Sequence, residues 1–425
     1  MNLPTKVETV VIGAGHSGLI MSSVLGGAGR DHVVLERRAS LGGGWQDRWD
    51  EFCLVSPNWT ASLPGMPYDG PDPDGFMPRD EIVARIARYA DVVGAPVSLE
   101  TEVRRVAPGD HGRFRVETTR GDIAADNVVV AAGSFHAPRV PPIAAAFPST
   151  VDQLHSHDYR RETSLAPGAV LVVGSGQSGV QIAEELHEAG RDVYLSVGSA
   201  GRMPRRYRGS DMFRWLQSIA QQGARYGVSL PTRDKLPSPK AKFVGNPHLS
   251  GRNGGHDTNL REFAMRGMTL LGRIDRVEGQ RLVLVPDLPD RLAAADRFFR
   301  ERFQPDVERF IELAGIAAPP DDRRDATFDP PVLADLRLDE AGISTVIWTT
   351  GYRLDYGWID FPIRDEDGYP NQQRGVTDVP GLYFLGLMWQ STLASATLFG
   401  PKVDSLHLAS VMGLPIPEAP PAPVA

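Results

Sequence analysis

A pattern that occurs twice predicts an α/β protein built on two Rossmann-like, doubly wound nucleotide-binding domains. A short β-rich apolar run, a glycine cluster, a helical segment and a second β-rich run follow one another over residues 9–36 and again over residues 169–197, about 160 residues on. Buried-strand patterns return late in the chain, at residues 345–347 and 382–385.

Composition bounds the partners. The 425 residues are 41% hydrophobic and 23% charged, enough to bury a sizeable core in two to three domains. A net charge of -8 offers no general attraction to nucleic acid or an anionic membrane, so a small molecule is the expected partner. The first residues lack the charged head, apolar stretch and small-residue cleavage site of a secretory leader. Apolar runs such as residues 128–132 fall far short of the ~20 residues of a membrane helix. Cys53 is the only cysteine, which excludes an intrachain disulfide and makes a reducing cytoplasm the expected compartment.

The first unit is read from its order. Val10, Val11 and Ile12 form a buried strand, Gly13-Ala14-Gly15-His16-Ser17-Gly18 follows at once, residues 19–25 continue as a helix, and Val33 to Leu35 leads to Glu36. Gly13 permits the tight turn, Gly15 lets backbone approach a pyrophosphate, and Gly18 lets helix and strand pack closely. The helix N-terminus offers free N–H groups to the phosphates. Glu36, 18 residues beyond Gly18, can accept both ribose hydroxyl protons, and the unit is a dinucleotide site.

Next, residues 78–90 read as a helix with Ile82, Ile86 and Tyr89 on one face, and residues 96–106, 113–118 and 127–131 as strands. Pro138, Pro141 and Pro142 then interrupt regular structure and mark a crossing between domains. The second fingerprint is Gly174-Ser175-Gly176-Gln177-Ser178-Gly179, with Val180, Ile182, Ala183 and Leu186 in its helix. Its following strand ends at Ser196 instead of an acid, and Arg202, Arg205, Arg206 and Arg208 come after it. A hydroxyl with guanidinium groups suits a 2′-phosphate, so NADPH is expected over NADH, read by Ser196, Arg202 and Arg205. Residues 202–255 read as loops around a helix at 212–222, and residues 291–314 as a helix with an apolar stripe of Phe298, Phe299, Phe303, Val307, Phe310 and Ile311.

Further elements resemble a known family. Leu41-Gly42-Gly43-Gly44-Trp45 matches the G-G-x-W element that follows the acidic residue in flavin-containing monooxygenases and their Baeyer-Villiger relatives, where the loop lies along FAD. Thr349-Thr350-Gly351-Tyr352 resembles their A-T-G-Y link, Ala131-Ala132-Gly133 sits at the first crossing, and residues 381–386, ending at Gly386, resemble the last strand of the FAD domain. Phe147-Pro148-Ser149 with His155 and Tyr159 resembles a degraded class B signature: serine replaces glycine, tyrosine replaces tryptophan, and the phenylalanine lies too far upstream. The resemblance is thus to class B flavin-dependent monooxygenases. It implies an NADPH domain inserted into a discontinuous FAD domain, with FAD-binding parts at 1–150 and 345–412, the NADPH part at 151–344, and a Pro/Ala-rich disordered tail at 413–425. It also implies cofactor contacts from His16, Ser17, Arg37, Gly44, Trp45, Val103, Ala132, Gly133, Gln177, Ser178, Thr350, Gly351 and Gly386, and places Asn58 near the flavin edge as the catalytic candidate.

The implied activity is insertion of one oxygen atom from O2 into a small organic substrate through a flavin C4a-(hydro)peroxide, by N- or S-oxygenation or by Baeyer-Villiger or oxo-acid chemistry. Trp389, Trp358 and Tyr352 are candidates for an aromatic pocket, and a homodimer is a possible assembly. An NADPH oxidase or flavin reductase shares the hydride step and stays open, as does a flavin-binding regulatory protein. Cys53 alone excludes a cysteine-pair reductase, no histidines stand at zinc-ligand spacing, and no nucleophile elbow suggests a hydrolase.

Overall fold

The computed structural model describes residues 3–243 and 247–415. Two sheets organise it, a mixed one of nine strands with a parallel centre and an all-parallel one of five. The first runs Leu382–Phe384, Gly121–Val130, Lys6–Ile12, His32–Leu35, Val97–Ser98, and these neighbours pair in parallel. The second runs Thr269–Leu271, Val193–Ser196, Ala169–Val173, Ile343–Trp348, Asp152–His155, again in parallel. In both, the strand that opens the glycine pattern is central. Its valines, Val10 and Val11 in one sheet and Val170 and Val172 in the other, are buried, as expected of strands covered on both faces.

Because Leu382–Phe384 joins the first sheet after every strand of the second has been laid down, the first domain is discontinuous and the second is inserted in it. The return boundary shifts, however. Ile343–Trp348 pairs with Ala169–Val173 and Asp152–His155, so the second domain keeps that strand and the chain leaves it after Trp348, not at 345. The two crossings run side by side: Ala137–Pro138 pairs antiparallel with Tyr352–Arg353, and Arg139 N donates to Gly351 O at 3.0 Å.

The helix Arg79–Val92 buries Ile82, Ile86, Tyr89 and Ala90, while Asp80 and Glu81 in its first turn complement the helix dipole. The helical stretch expected at 291–314 is two helices, Leu288–Arg302 and Gln304–Ala314, broken at Phe303. Pro305 is the cause, since it lacks an N–H and its ring would clash with the carbonyl four residues back. The apolar stripe still forms core: Phe299, Phe303, Val307, Phe310 and Ile311 pack in one cluster with Met212, Trp215 and Ile219 of the helix Met212–Gln222. Beyond residue 415 the expected tail lies outside the described residues.

Candidate functional site

The two glycine fingerprints adopt the same geometry. Gly13 has φ +104° and Gly174 has φ +105°, where a side chain is strained. A Cβ on Gly18 would sit 1.9 Å from Gly13 O, and one on Gly179 would sit 2.0 Å from Gly174 O. The protein itself therefore requires glycine at the first and third positions. The middle positions differ. A Cβ on Gly15 would meet nothing nearer than Gly43 Cα at 3.9 Å, and one on Gly176 nothing within 4 Å. Each of these glycines is also the N-cap of its helix, His16–Gly27 or Gln177–Glu188, with no side-chain cap. First-turn N–H groups therefore face open space with no side-chain acceptor at the cap. Two such cradles fit the pyrophosphates of two dinucleotides.

Both cradles open into one cleft of about 1750 Å³. Ligand pockets for a single small molecule are roughly 300–1,000 Å³, so this cleft has room for more than one ligand group. From the first domain, Gly13, Gly15, His16, Ser17, Glu36 and Arg37 line it, followed by Gly44, Trp45, Val103, Ala132, Gly133 and Gly386. Gly176, Gln177, Ser178 and Gly351 line it from the second domain and the return crossing. Gly18, Gly174 and Gly179 are not in the lining; they serve the turns beneath.

Glu36 is fixed through both carboxylate oxygens. Its Oε2 accepts from Ala14 N at 2.9 Å and its Oε1 from Arg38 N at 3.0 Å, which holds the carboxylate at the end of its strand. His16 accepts from Trp45 Nε1 at 3.4 Å and ties the G-G-x-W loop to the fingerprint. Burial pushes its imidazole down to about 4, so the ring beside the first cradle is neutral. Gln177 clasps the backbone of Leu249, accepting from its N–H at 3.1 Å and donating to its carbonyl.

Several expected contacts are spent elsewhere. Ser196 is buried and donates to Gly272 O at 3.1 Å. Arg202 is buried between Asp296 and Asp325, each at 2.7 Å. Arg205 donates to Val55 O at 2.7 Å and pairs with Asp211 at 3.2 Å, and burial pulls its guanidinium down to about 10. None of the three lines the cleft, so the 2′-phosphate reading built on them is corrected: each is turned toward partners inside the protein. Arg208 pairs with Glu308 at 2.6 Å, and Arg206 is exposed. Thr350 donates to Arg139 O at the crossing and does not line the cleft.

Asn58 is corrected too. Its Oδ1 accepts from Met77 N at 2.6 Å, and its Nδ2 donates to Asp72 O at 2.9 Å and Tyr68 Oη at 3.4 Å. The amide closes its own loop and is absent from the cleft wall.

In its place the fold brings other polar groups to the cleft. Arg48 Nε, Gln181 Oε1, Arg233 Nη1 and Gln390 Nε2 are buried on lining residues and have no hydrogen-bond partner. They come from four separate stretches of chain, so no spacing announces them. Trp389, with φ +54°, precedes Gln390; a bulky residue in that region is a strained feature that only the backbone reveals. Trp389, Trp358 and Tyr352 all line the cleft, as do Trp59, Phe213 and Leu216. Among the described residues no cluster of His, Cys, Asp or Glu could hold a metal ion, and no helix is long and apolar enough to cross a membrane.

Comparison with known proteins agrees with this build. The profile of the family described as pyridine nucleotide-disulphide oxidoreductase matches residues 10–227, from the first glycine strand past the second fingerprint. A CzcO-like oxidoreductase of Geobacillus kaustophilus is 31% identical over 404 residues, 95% of this chain and 97% of that protein. The chain belongs to the pyridine nucleotide-disulphide oxidoreductase family. Within this family of FAD- and NADP-binding oxidoreductases it is similar to class B flavin monooxygenases. The indole-3-pyruvate monooxygenase YUCCA1 of rice is 30% identical over 218 residues, 49% of this chain and 53% of that protein. The structure of the flavin-containing monooxygenase from Stenotrophomonas maltophilia shares the fold with a TM-score of 0.63, covering 97% of this chain and 99% of that one at 21% identity.

Proposed function

We propose that this family member is an NADPH- and O2-dependent flavin monooxygenase that inserts one oxygen atom into a small organic substrate. One observation carries the reading: two uncapped glycine cradles open into a single cleft whose remaining wall is largely apolar. Hydride transfer needs nicotinamide and flavin face to face, and a shared cleft permits that contact. Gly13, Gly15 and Gly18 with Glu36 would hold FAD, whose adenosine ribose Glu36 can receive. Gly174, Gly176 and Gly179, with Gln177 and Ser178 at the rim, would hold NADPH. Bound flavin supplies the hydride and oxygen chemistry; the protein supplies orientation and exclusion of water. Trp59, Phe213, Leu216 and Trp389 are suited to the latter.

A dithiol relay is disfavoured by composition, because Cys53 has no cysteine partner and burial pushes its thiol up to about 11. The monooxygenase names of the rice and Stenotrophomonas proteins support the same direction. We place the FAD-binding parts before residue 151 and after Trp348, and a cytoplasmic location is consistent with the single cysteine. The test is turnover of FAD-loaded enzyme with NADPH under oxygen-18 gas against amines, thioethers, ketones and oxo acids, read by mass spectrometry. Labelled product in proportion to NADPH consumed is the expected result. Hydrogen peroxide equal to NADPH consumed, with no labelled product, makes the enzyme an oxidase or reductase.

A further inference from the structure

Buried arginines in this protein come with carboxylates. Arg202 has Asp296 and Asp325, Arg205 has Asp211, Arg252 has Glu188 and Arg261 has Asp296. Arg233 departs from this, as Arg48 does with its unpartnered Nε. Arg233 Nη1 is buried and unpartnered, and among the described residues no carboxylate lies within ion-pair distance of its guanidinium. The side chain lines the cleft and sits over the Tyr369 ring, with Cζ 4.5 Å from the ring centroid. Its backbone is pinned as well, Arg233 N donating to Ser391 O at 3.0 Å.

The neighbouring segment is packed as tightly: Gln390 is 1% exposed, its Oε1 accepts from Leu387 N at 3.4 Å, and its Nε2 points away from the cleft, toward Gly375 and Leu408. Tyr369 and Gln372 connect the two: Gln372 Nε2 donates to Tyr369 Oη at 3.4 Å and to Gln390 O at 3.3 Å. Leaving a buried guanidinium N–H unmet costs free energy, which a ligand with oxygen acceptors would recover. Trp389 and Leu393, also in the lining, surround this end with apolar surface.

We propose that Arg233 binds the carboxylate of an organic acid whose apolar body lies against Trp389. As an assignment of substrate class this rests on the monooxygenase reading, but the binding step does not. The guanidinium only donates and is charged, a carboxylate accepts from it in a planar fork, and a neutral amide of the same shape satisfies it less well.

Calorimetric titration of the FAD-loaded protein tests it, using carboxylates from acetate through phenylacetate to decanoate, each paired with its primary amide. At least one acid should bind about ten-fold or more tightly than its amide, and Arg233→Gln should weaken that acid about ten- to hundred-fold while leaving the amide alone. Arg233→Lys, which keeps the charge, should recover part of the loss. The proposal is overturned if no acid outbinds its amide in the unmodified protein, a comparison that needs no variant to fold. It is overturned equally if Arg233→Gln loses affinity for NADPH instead of the acid, since the oxyanion is then a cofactor phosphate. Preferential acid binding with no oxygen-18 in any product would leave this site standing and remove the monooxygenase reading.

Discussion

Replacing the middle glycine of each fingerprint by alanine separates what the fold needs from what a cofactor needs. Gly15 has φ -73° and ψ 178°, and Gly176 has φ -70° and ψ -179°, conformations that alanine adopts freely. The added methyl finds its nearest neighbour at 3.9 Å at Gly15 and none within 4 Å at Gly176. Gly176→Ala should therefore leave the unliganded fold unharmed, or stabilise it by about 0.4–1 kcal/mol through the reduced entropy of the unfolded chain. The methyl does project into the space assigned to a pyrophosphate, where overpacking costs about 1–3 kcal/mol, or about 5- to 150-fold in Kd. NADPH binding should weaken by that factor in Gly176→Ala with FAD retained, and FAD retention should fall in Gly15→Ala. Calorimetric titration, flavin content after desalting and thermal melting read the three quantities. Gly179→Ala, whose Cβ would lie 2.0 Å from Gly174 O, should instead lower stability. The reasoning is refuted if Gly176→Ala binds NADPH like the unmodified protein, or if it unfolds as Gly179→Ala does.

Arg202→Ala should cost about 1–3 kcal/mol in denaturant unfolding by removing one of the two arginines that hold Asp296 and the nearer one of Asp325, yet change the NADPH to NADH ratio of kcat/KM less than two-fold; a larger change returns Arg202 to the cofactor. Asn58→Ala, which removes three hydrogen bonds of one loop, should lower stability by about 1–3 kcal/mol while the share of NADPH oxidation ending as peroxide stays constant; a rise in that share without loss of stability contradicts the structural role. Glu185, buried beside Tyr159 at 2.8 Å, is raised by burial from 4.5 to about 7. In the unfolded chain it ionises from about 4.5, so its neutral form supports the fold at low pH and that support is lost as pH rises through about 7. Glu185→Gln should accordingly stabilise the fold at pH 8 by on the order of 3 kcal/mol, read as a higher melting temperature, and change it little at pH 4.5; equal melting curves at pH 8 would show that the carboxyl is not desolvated.

Strand, glycine loop, helix and Glu36 follow within one short stretch, so chain spacing alone brings them together, and the second unit repeats the arrangement from Ala169. The two-sheet plan and the apolar stripe of Phe299 to Ile311 were legible for the same reason: periodicity and adjacency are local properties. The fate of each polar side chain was decided elsewhere. Arg202 meets Asp296 from 94 residues away, Arg205 meets Val55 across 150, and Arg233 is aligned by Tyr369. A guanidinium that could read a phosphate and one that closes an internal ion pair have the same sequence, and only the position of the acids distinguishes them. The order Ala169–Val173, Ile343–Trp348, Asp152–His155 likewise depends on pairing between distant segments, which moved the domain boundary past Trp348. The sequence by itself determined two nucleotide cradles, because glycine's freedom and the helix N-terminus act within a few residues; the tertiary structure decided which charges remain free to meet a ligand, because electrostatic partners are chosen by distance in space.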